Sequence, residues 1–212
     1  ELKSARAEMG EDKYQQEFEC SFNAPVEGAY YSSIINDLDE KKQIIDIPKD
    51  ELARTYTGWD LGMSDSTSIW VAQVVNKEIR LIDFTENHGV GLDYYVNWLR
   101  EHDYMHATHI LPHDVAVREL GTGKSRKEML EEAARRILPR CWFDTDKTKV
   151  GLDALRNYRR VFDEKRNVFH DRPFHDWASH ASDAFRYLAV GMDESPMEAW
   201  SKPLEVNTKW IV

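Results

Sequence analysis

Three aspartates, Asp60, Asp114 and Asp183, stand where strands end and a helix borders its core, and carboxylates gathered from such places have a specific use. Together they can hold two hard divalent cations about 4 Å apart, which activate water and stabilise the attacking and leaving oxygens of a phosphodiester. Mg2+ and Mn2+ take oxygen ligands, and their charge makes close carboxylates tolerable. Asp60 closes Thr55 to Asp60 (TYTGWD), which reads as a strand, and Gly62 just beyond lets the backbone turn sharply away. Asp114 follows the short strand candidate Thr108 to Leu111, in Leu111-Pro112-His113-Asp114. Both acids project from strand ends, where α/β sheets build their sites. Asp65, in the loop after Asp60, offers a fourth ligand or an acid that orients one.

Asp183 belongs to the stretch HDWASHASDAFRY. On a helix turning about 100° per residue, Trp177, Ala181, Ala184, Phe185, Leu188 and Met192 make the core face. Asp176, His180, Asp183 and Tyr187 fall on a second stripe at its margin, from which an acid can point at a sheet edge. Asp176 fits the cap of that helix as well as a place near the site. His113 and His180, close to the acids in sequence, can orient a carboxylate or a water; ordinary hydrogen bonding is the simpler role.

Other constellations carry less. Gly121-Thr122-Gly123-Lys124-Ser125 has the look of a phosphate loop, but the pattern needs glycine where Arg118 stands, so no nucleotide site is read there. Lys124, Arg126 and Lys127 instead open a helix, where Lys124 and Arg126 can meet a DNA phosphate or simply be solvated. His109 and His113 straddle a strand and Pro112, without the helical geometry or thiolate neighbours of a zinc site. Arg156, Arg159 and Arg160 form a basic helix face that can follow DNA or face solvent. Trp59, Trp70, Tyr94, Trp98 and Phe185 are read as core.

The elements that must position these residues follow from the patterning. Thr67 to Val75 and Ile79 to Phe84 are rich in β-branched and aromatic residues around a polar turn, and complete an antiparallel meander with the strand before them. Leu92 to Arg100 reads as a helix, Lys124 to Leu138 as another stopped by Pro139, then Arg140 to Phe143 as a strand. Leu152 to Phe162 and Asp176 to Met192 are the remaining helices. Strands first, then helices and strands in alternation, give an α/β fold with a mixed sheet. Residues 1–50 are patterned differently, with charged stretches, Pro25 and Gly28, and a polar helix candidate from Tyr31 to Lys42. They read as a connector from a preceding domain, residues 51–192 as the site-bearing domain, and 193–212 as a tail. Opening at Glu1 without methionine, the sequence reads as a piece of a longer one.

The 212 residues, 42% hydrophobic and 31% charged, suit one domain of ordinary size and an appended segment. Apolar runs such as Ile69 to Ala72 fall far short of the roughly 20 residues of a membrane helix, so no membrane is expected. Cys20 and Cys141, far apart, fit buried thiols in a reducing cytoplasm. A net charge of −10 opposes a broad DNA-binding surface, since phosphate neutralisation calls for basic groups. Acids that hold cations reach phosphate through the metal, and positive charge then need only be local.

The segments GWDLGMSDSTSIW, ILPHDVAVRELGTGKSR and HDWASHASDAFRYL, in that order, resemble the C-terminal nuclease domain of tailed-phage terminase large subunits. The resemblance runs from about Tyr56 to Leu188, and FECSFNAPVEGAYY resembles the stretch joining the packaging ATPase to the nuclease. It implies a ribonuclease H-like fold, a mixed sheet flanked by helices, and two-metal cutting of concatemeric double-stranded viral DNA with Mg2+ or Mn2+. The family's acids fall on Asp60, Asp114 and Asp183, with Asp65 accessory. The implied partners are DNA, the terminase ATPase domain, the portal protein and the small terminase subunit, in the host bacterial cytoplasm. A resolvase- or transposase-type nuclease of the same fold class, or a portal-docking module without catalysis, are the rival readings.

Overall fold

The computed structural model describes residues 26–62, 65–112 and 126–193. In chain order the elements are α1 (Ser32–Glu40), β1 (Ile44–Ile45), β2 (Arg54–Asp60), β3 (Ser66–Val75), β4 (Glu78–His88), α2 (Leu92–Glu101) and β5 (Thr108–Ile110). They continue with α3 (Arg126–Ile137), β6 (Cys141–Asp144), α4 (Lys149–Asn157), β7 (Arg160–Asp163), β8 (Val168–Pro173) and α5 (Ala178–Asp193). Six strands make one mixed sheet in the order β1-β6-β4-β3-β2-β5, and β7 and β8 form a separate antiparallel hairpin. The β2-β3-β4 meander is antiparallel, while β5 joins β2, and β6 joins β4 and β1, in parallel. Asn76 turns β3 into β4 with φ 58°, a left-handed conformation that asparagine tolerates.

Alternation along β3 divides the interior in two. Trp70 and Ala72 point toward α1, α3, α4 and α5, joining Leu81, Phe84, Phe143, Leu155, Phe185 and Leu188 in the larger core. Ile69 and Val71 point the other way, toward Tyr95 and Leu99 of α2, with Trp59, Ile82 and Tyr104. The fully buried Trp70 indole donates to the Ala181 carbonyl at 2.8 Å, tying the central strand to α5. Residues before position 50 also enter this architecture: Tyr30, Tyr31, Ile35 and Leu38 lie in the larger core, and β1 closes one edge of the sheet. Among the described residues no helix is long and apolar enough to cross a membrane.

Several expectations need correction. The helix expected over Leu152 to Phe162 ends at Asn157, because Tyr158 turns extended (φ −66°, ψ 111°) to bury its ring, and the chain continues as β7. The basic face expected there is therefore dispersed. Arg156 pairs with Asp39, Arg159 with Asp176 at 3.5 Å, and Arg160 lies over the Tyr30 ring. Tyr94, expected in the core, is 41% exposed, because Tyr95 and Leu99 carry the inward stripe of α2. Trp177, expected on the core face of the last helix, is 53% exposed, because it precedes the helix start at Ala178.

Candidate active site

Asp60 reaches the site from the last residue of β2, and its place depends on a close approach two residues earlier. A Cβ on Gly58 would lie 2.4 Å from the Leu188 Cβ and 2.8 Å from the Ala184 carbonyl oxygen, so only glycine lets α5 settle this near β2. Asp183 is the neighbour of Ala184, and that contact brings it toward Asp60. Its carboxylate is ion-paired with Arg186, one turn along the helix. Arg186 is buried, lies over the Tyr158 ring at 5.2 Å, and comes within 3.9 Å of Glu131 on α3.

His180 sits between the acids. Its Nδ1 lies 3.1 Å from Asp60 Oδ2, and its Nε2 3.4 Å from Asp65 Oδ1. An ionised carboxylate can only accept, so Nδ1 carries the proton in the contact with Asp60. Burial pushes the Asp60 carboxyl above the ordinary carboxylate range; the Asp183 charge adds to this, and the His180 hydrogen bond works against it. Burial pulls the imidazole of His180 down, but the hydrogen bond and charge of Asp60, with Asp65 and Glu86 behind it, leave it raised. The His180 charge and the Ser66 backbone N–H hold exposed Asp65 below the ordinary range.

A further acid enters through the register of the sheet. Asp60 pairs with Ser68, and Ser68 with Glu86, so the three occupy one row on the α5 face. Ser68 Oγ donates to Glu86 Oε2 at 2.6 Å. Glu86 was not among the expected site residues, and its place is visible only once the meander is paired.

Asp176 takes the capping role that was one of its two expected uses. Its carboxylate accepts from the Ala178 N–H at 3.0 Å, Ser179 Oγ accepts from the Asp176 N–H at 3.1 Å, and Arg159 holds it from outside. His109 is engaged with Thr57, at 2.7 Å between Nδ1 and Oγ1. Asp114, His113 and Lys124 lie outside the described residues, and Arg126 is the first residue of α3. The structure thus brings together Asp60, Asp183, His180 and Asp65, and adds Glu86.

The donor set suits a divalent cation. Asp60 and Asp183 provide carboxylate oxygens on adjoining elements, with like charges that a hard cation would neutralise. In the present arrangement His180 and Arg186 supply that compensation.

No protein-family model matches the chain, and no curated protein matches it. Solved structures do. The large terminase nuclease domain from bacteriophage SPP1 with bound Mn is 20% identical, covering 70% of this chain and 95% of its own, with a TM-score of 0.51. The large terminase nuclease from thermophilic phage G20c with bound magnesium is 17% identical, covering 78% of this chain and 98% of its own, with a TM-score of 0.50. A large terminase from another thermophilic bacteriophage, in complex with ATP-gamma-S, is 16% identical with a TM-score of 0.54; the match covers 76% of this chain but 45% of that one. The chain has the ribonuclease H-like fold of the large-terminase nuclease domains.

Proposed function

We propose that this chain is the nuclease part of a large terminase, cutting concatemeric double-stranded viral DNA by metal-dependent phosphodiester hydrolysis. The observation that carries this reading is the approach of Asp183 on α5 to Asp60 at the end of β2, through the Gly58 contact, in a fold whose neighbours carry Mn or Mg. Asp60, Asp183 and Asp114 would hold the two divalent cations, Mg2+ or Mn2+, with Asp65 as the accessory acid at the edge. When bound, such ions supply Lewis-acid activation of water and neutralise charge building on the phosphate.

The chain's own groups prepare that chemistry. Arg186 fixes the rotamer of Asp183, and His180 orients Asp60 through Nδ1. Glu86 adds negative charge behind His180 and favours a proton there. Lys124 and Arg126 are assigned to phosphate contacts, which position a duplex without reading its sequence. In the full protein the ATPase domain would present DNA, with the portal protein and small terminase subunit as further partners, in the host cytoplasm. Residues before position 50 would then carry the connection to the ATPase domain while packing into the nuclease core.

The test is plasmid DNA incubated with purified protein and Mn2+, beside an Asp183→Ala control. Cutting by the wild type and none by the variant is the expected result. Intact plasmid with every divalent cation tried, or equal cutting by the variant, removes the assignment. Preference for branched over linear duplex would move it to a resolvase.

A further inference from the structure

Tyr30 and Tyr31 belong to the segment that reads in the sequence as a connector, yet only two side chains, Tyr158 and Arg186, stand between Tyr31 and Asp183. The segment is docked by its main chain. The Tyr30 N–H donates to the Tyr158 carbonyl at 2.9 Å, the Arg160 N–H donates to the Gly28 carbonyl at 3.0 Å, and Ala29 bridges Arg159 in antiparallel fashion between them. It thus joins the chain where α4 has ended and β7 begins.

This docking gathers three buried rings. Tyr158 lies 5.0 Å from Tyr30, tilted by 32°, and 6.0 Å from Tyr31, nearly parallel at 14°. The Arg186 guanidinium lies over the Tyr158 ring at 5.2 Å, is paired with Asp183, and has Glu131 at 3.9 Å on its other side. A cation between two carboxylates can lean toward either, and a ring face beneath the planar guanidinium limits that freedom. Packing fixes the ring in turn. Among the described residues the Tyr31 and Tyr158 hydroxyls and Arg186 Nε have no hydrogen-bond partner, so the aromatic faces, and not the hydroxyls, carry the arrangement.

We propose that Tyr31 is a positioning residue for the reaction, acting through the Tyr158 ring and Arg186 to hold the Asp183 carboxylate in place. The proposal rests on the nuclease reading, in which Asp183 is a cation ligand. Such a ligand must stay within about 0.5 Å of its productive place, which requires that the side chains supporting it be locked by packing. Without the Tyr31 ring, Tyr158 can tilt, the guanidinium follows it, and Asp183 and Glu131 divide that cation differently. The connector segment is then part of the support of the site as well as a passage to it.

The experiment pairs two readouts on the purified chain: the NMR signal of the Arg186 Nε–H, and plasmid cutting in Mn2+ with kcat and KM measured separately. Tyr31→Leu keeps an apolar side chain but withdraws the flat face. It should shift the Arg186 signal and lower kcat about tenfold, with KM for DNA little changed. Tyr31→Phe should restore both. Leu38→Ala, which weakens the same core from the same segment, should lower Tm while kcat stays at the wild-type level in the folded range. An unmoved Arg186 signal in Tyr31→Leu, an equal loss of kcat in Tyr31→Phe, or the same loss in Leu38→Ala would overturn the proposal. A wild type that leaves plasmid intact removes the nuclease reading instead, and the Arg186 signal still decides whether Tyr31 positions that side chain.

Discussion

His180 donates from Nδ1 to Asp60 Oδ2 across 3.1 Å, joining the polar stripe of α5 to the end of β2. Because the folded imidazole is held above its unfolded value of 6.5, charged His180 stabilises the fold below that pH and loses this contribution as pH rises through its folded value. Asp60→Asn removes the charge that holds the imidazole up, and burial then pulls it down. Proton NMR titration of His180 should give a lower midpoint in Asp60→Asn than in wild type. An equal or higher midpoint means that the carboxylate is not what holds the proton.

Gly58 sets the distance between the strand and helix that carry the two acids. Gly58→Ala places a methyl against the Leu188 Cβ and the Ala184 carbonyl oxygen, and α5 must shift away. Overpacking of this kind costs about 1–3 kcal/mol. The effect on plasmid cutting should be larger, on the order of a hundredfold, because an ångström of misplacement acts on the reacting geometry. Cutting rates near wild type in a folded Gly58→Ala variant would separate the Asp60–Asp183 approach from catalysis.

The parts legible in the sequence are those with a local signature. Thr67 to Val75 announces a strand by its β-branched run, and the spacing of His180 and Asp183 places both on one margin of α5. What stayed hidden depends on pairing between distant segments. β1 is only Ile44 and Ile45, and becomes a strand by lying parallel to β6. The start of β7 carries Arg160, which reads equally well as part of a basic helix face, until Tyr158 breaks the helix to bury its ring. Glu86 joins the site through two successive registers, and no spacing singles it out beforehand.

Arg186 connects Asp183 to the core, lying buried between that carboxylate, Glu131 and the Tyr158 ring. Arg186→Met keeps most of the volume but withdraws the cation from both acids. Removing one member of a buried charge group costs about 3–5 kcal/mol. Urea unfolding should therefore show a loss of about 3 kcal/mol, with an unchanged slope. A loss below about 1 kcal/mol would mean that solvent already compensates these carboxylates.

Cation binding should be visible without DNA. Asp60 is raised chiefly by burial and further by Asp183, so a divalent ion shared by the two relieves a cost present in the ion-free fold. A ligand that binds only the folded state at a hundred times its Kd adds about 2.7 kcal/mol. For a chain of this size that corresponds to a rise in Tm of roughly 5–10 °C. Thermal unfolding with increasing Mn2+ should show such a rise in wild type. The rise should be strongly reduced in Asp183→Ala and in Asp60→Asn, whatever their starting Tm. If both aspartate variants shift as far as wild type, the ion responsible lies elsewhere, and the two carboxylates do not form its site.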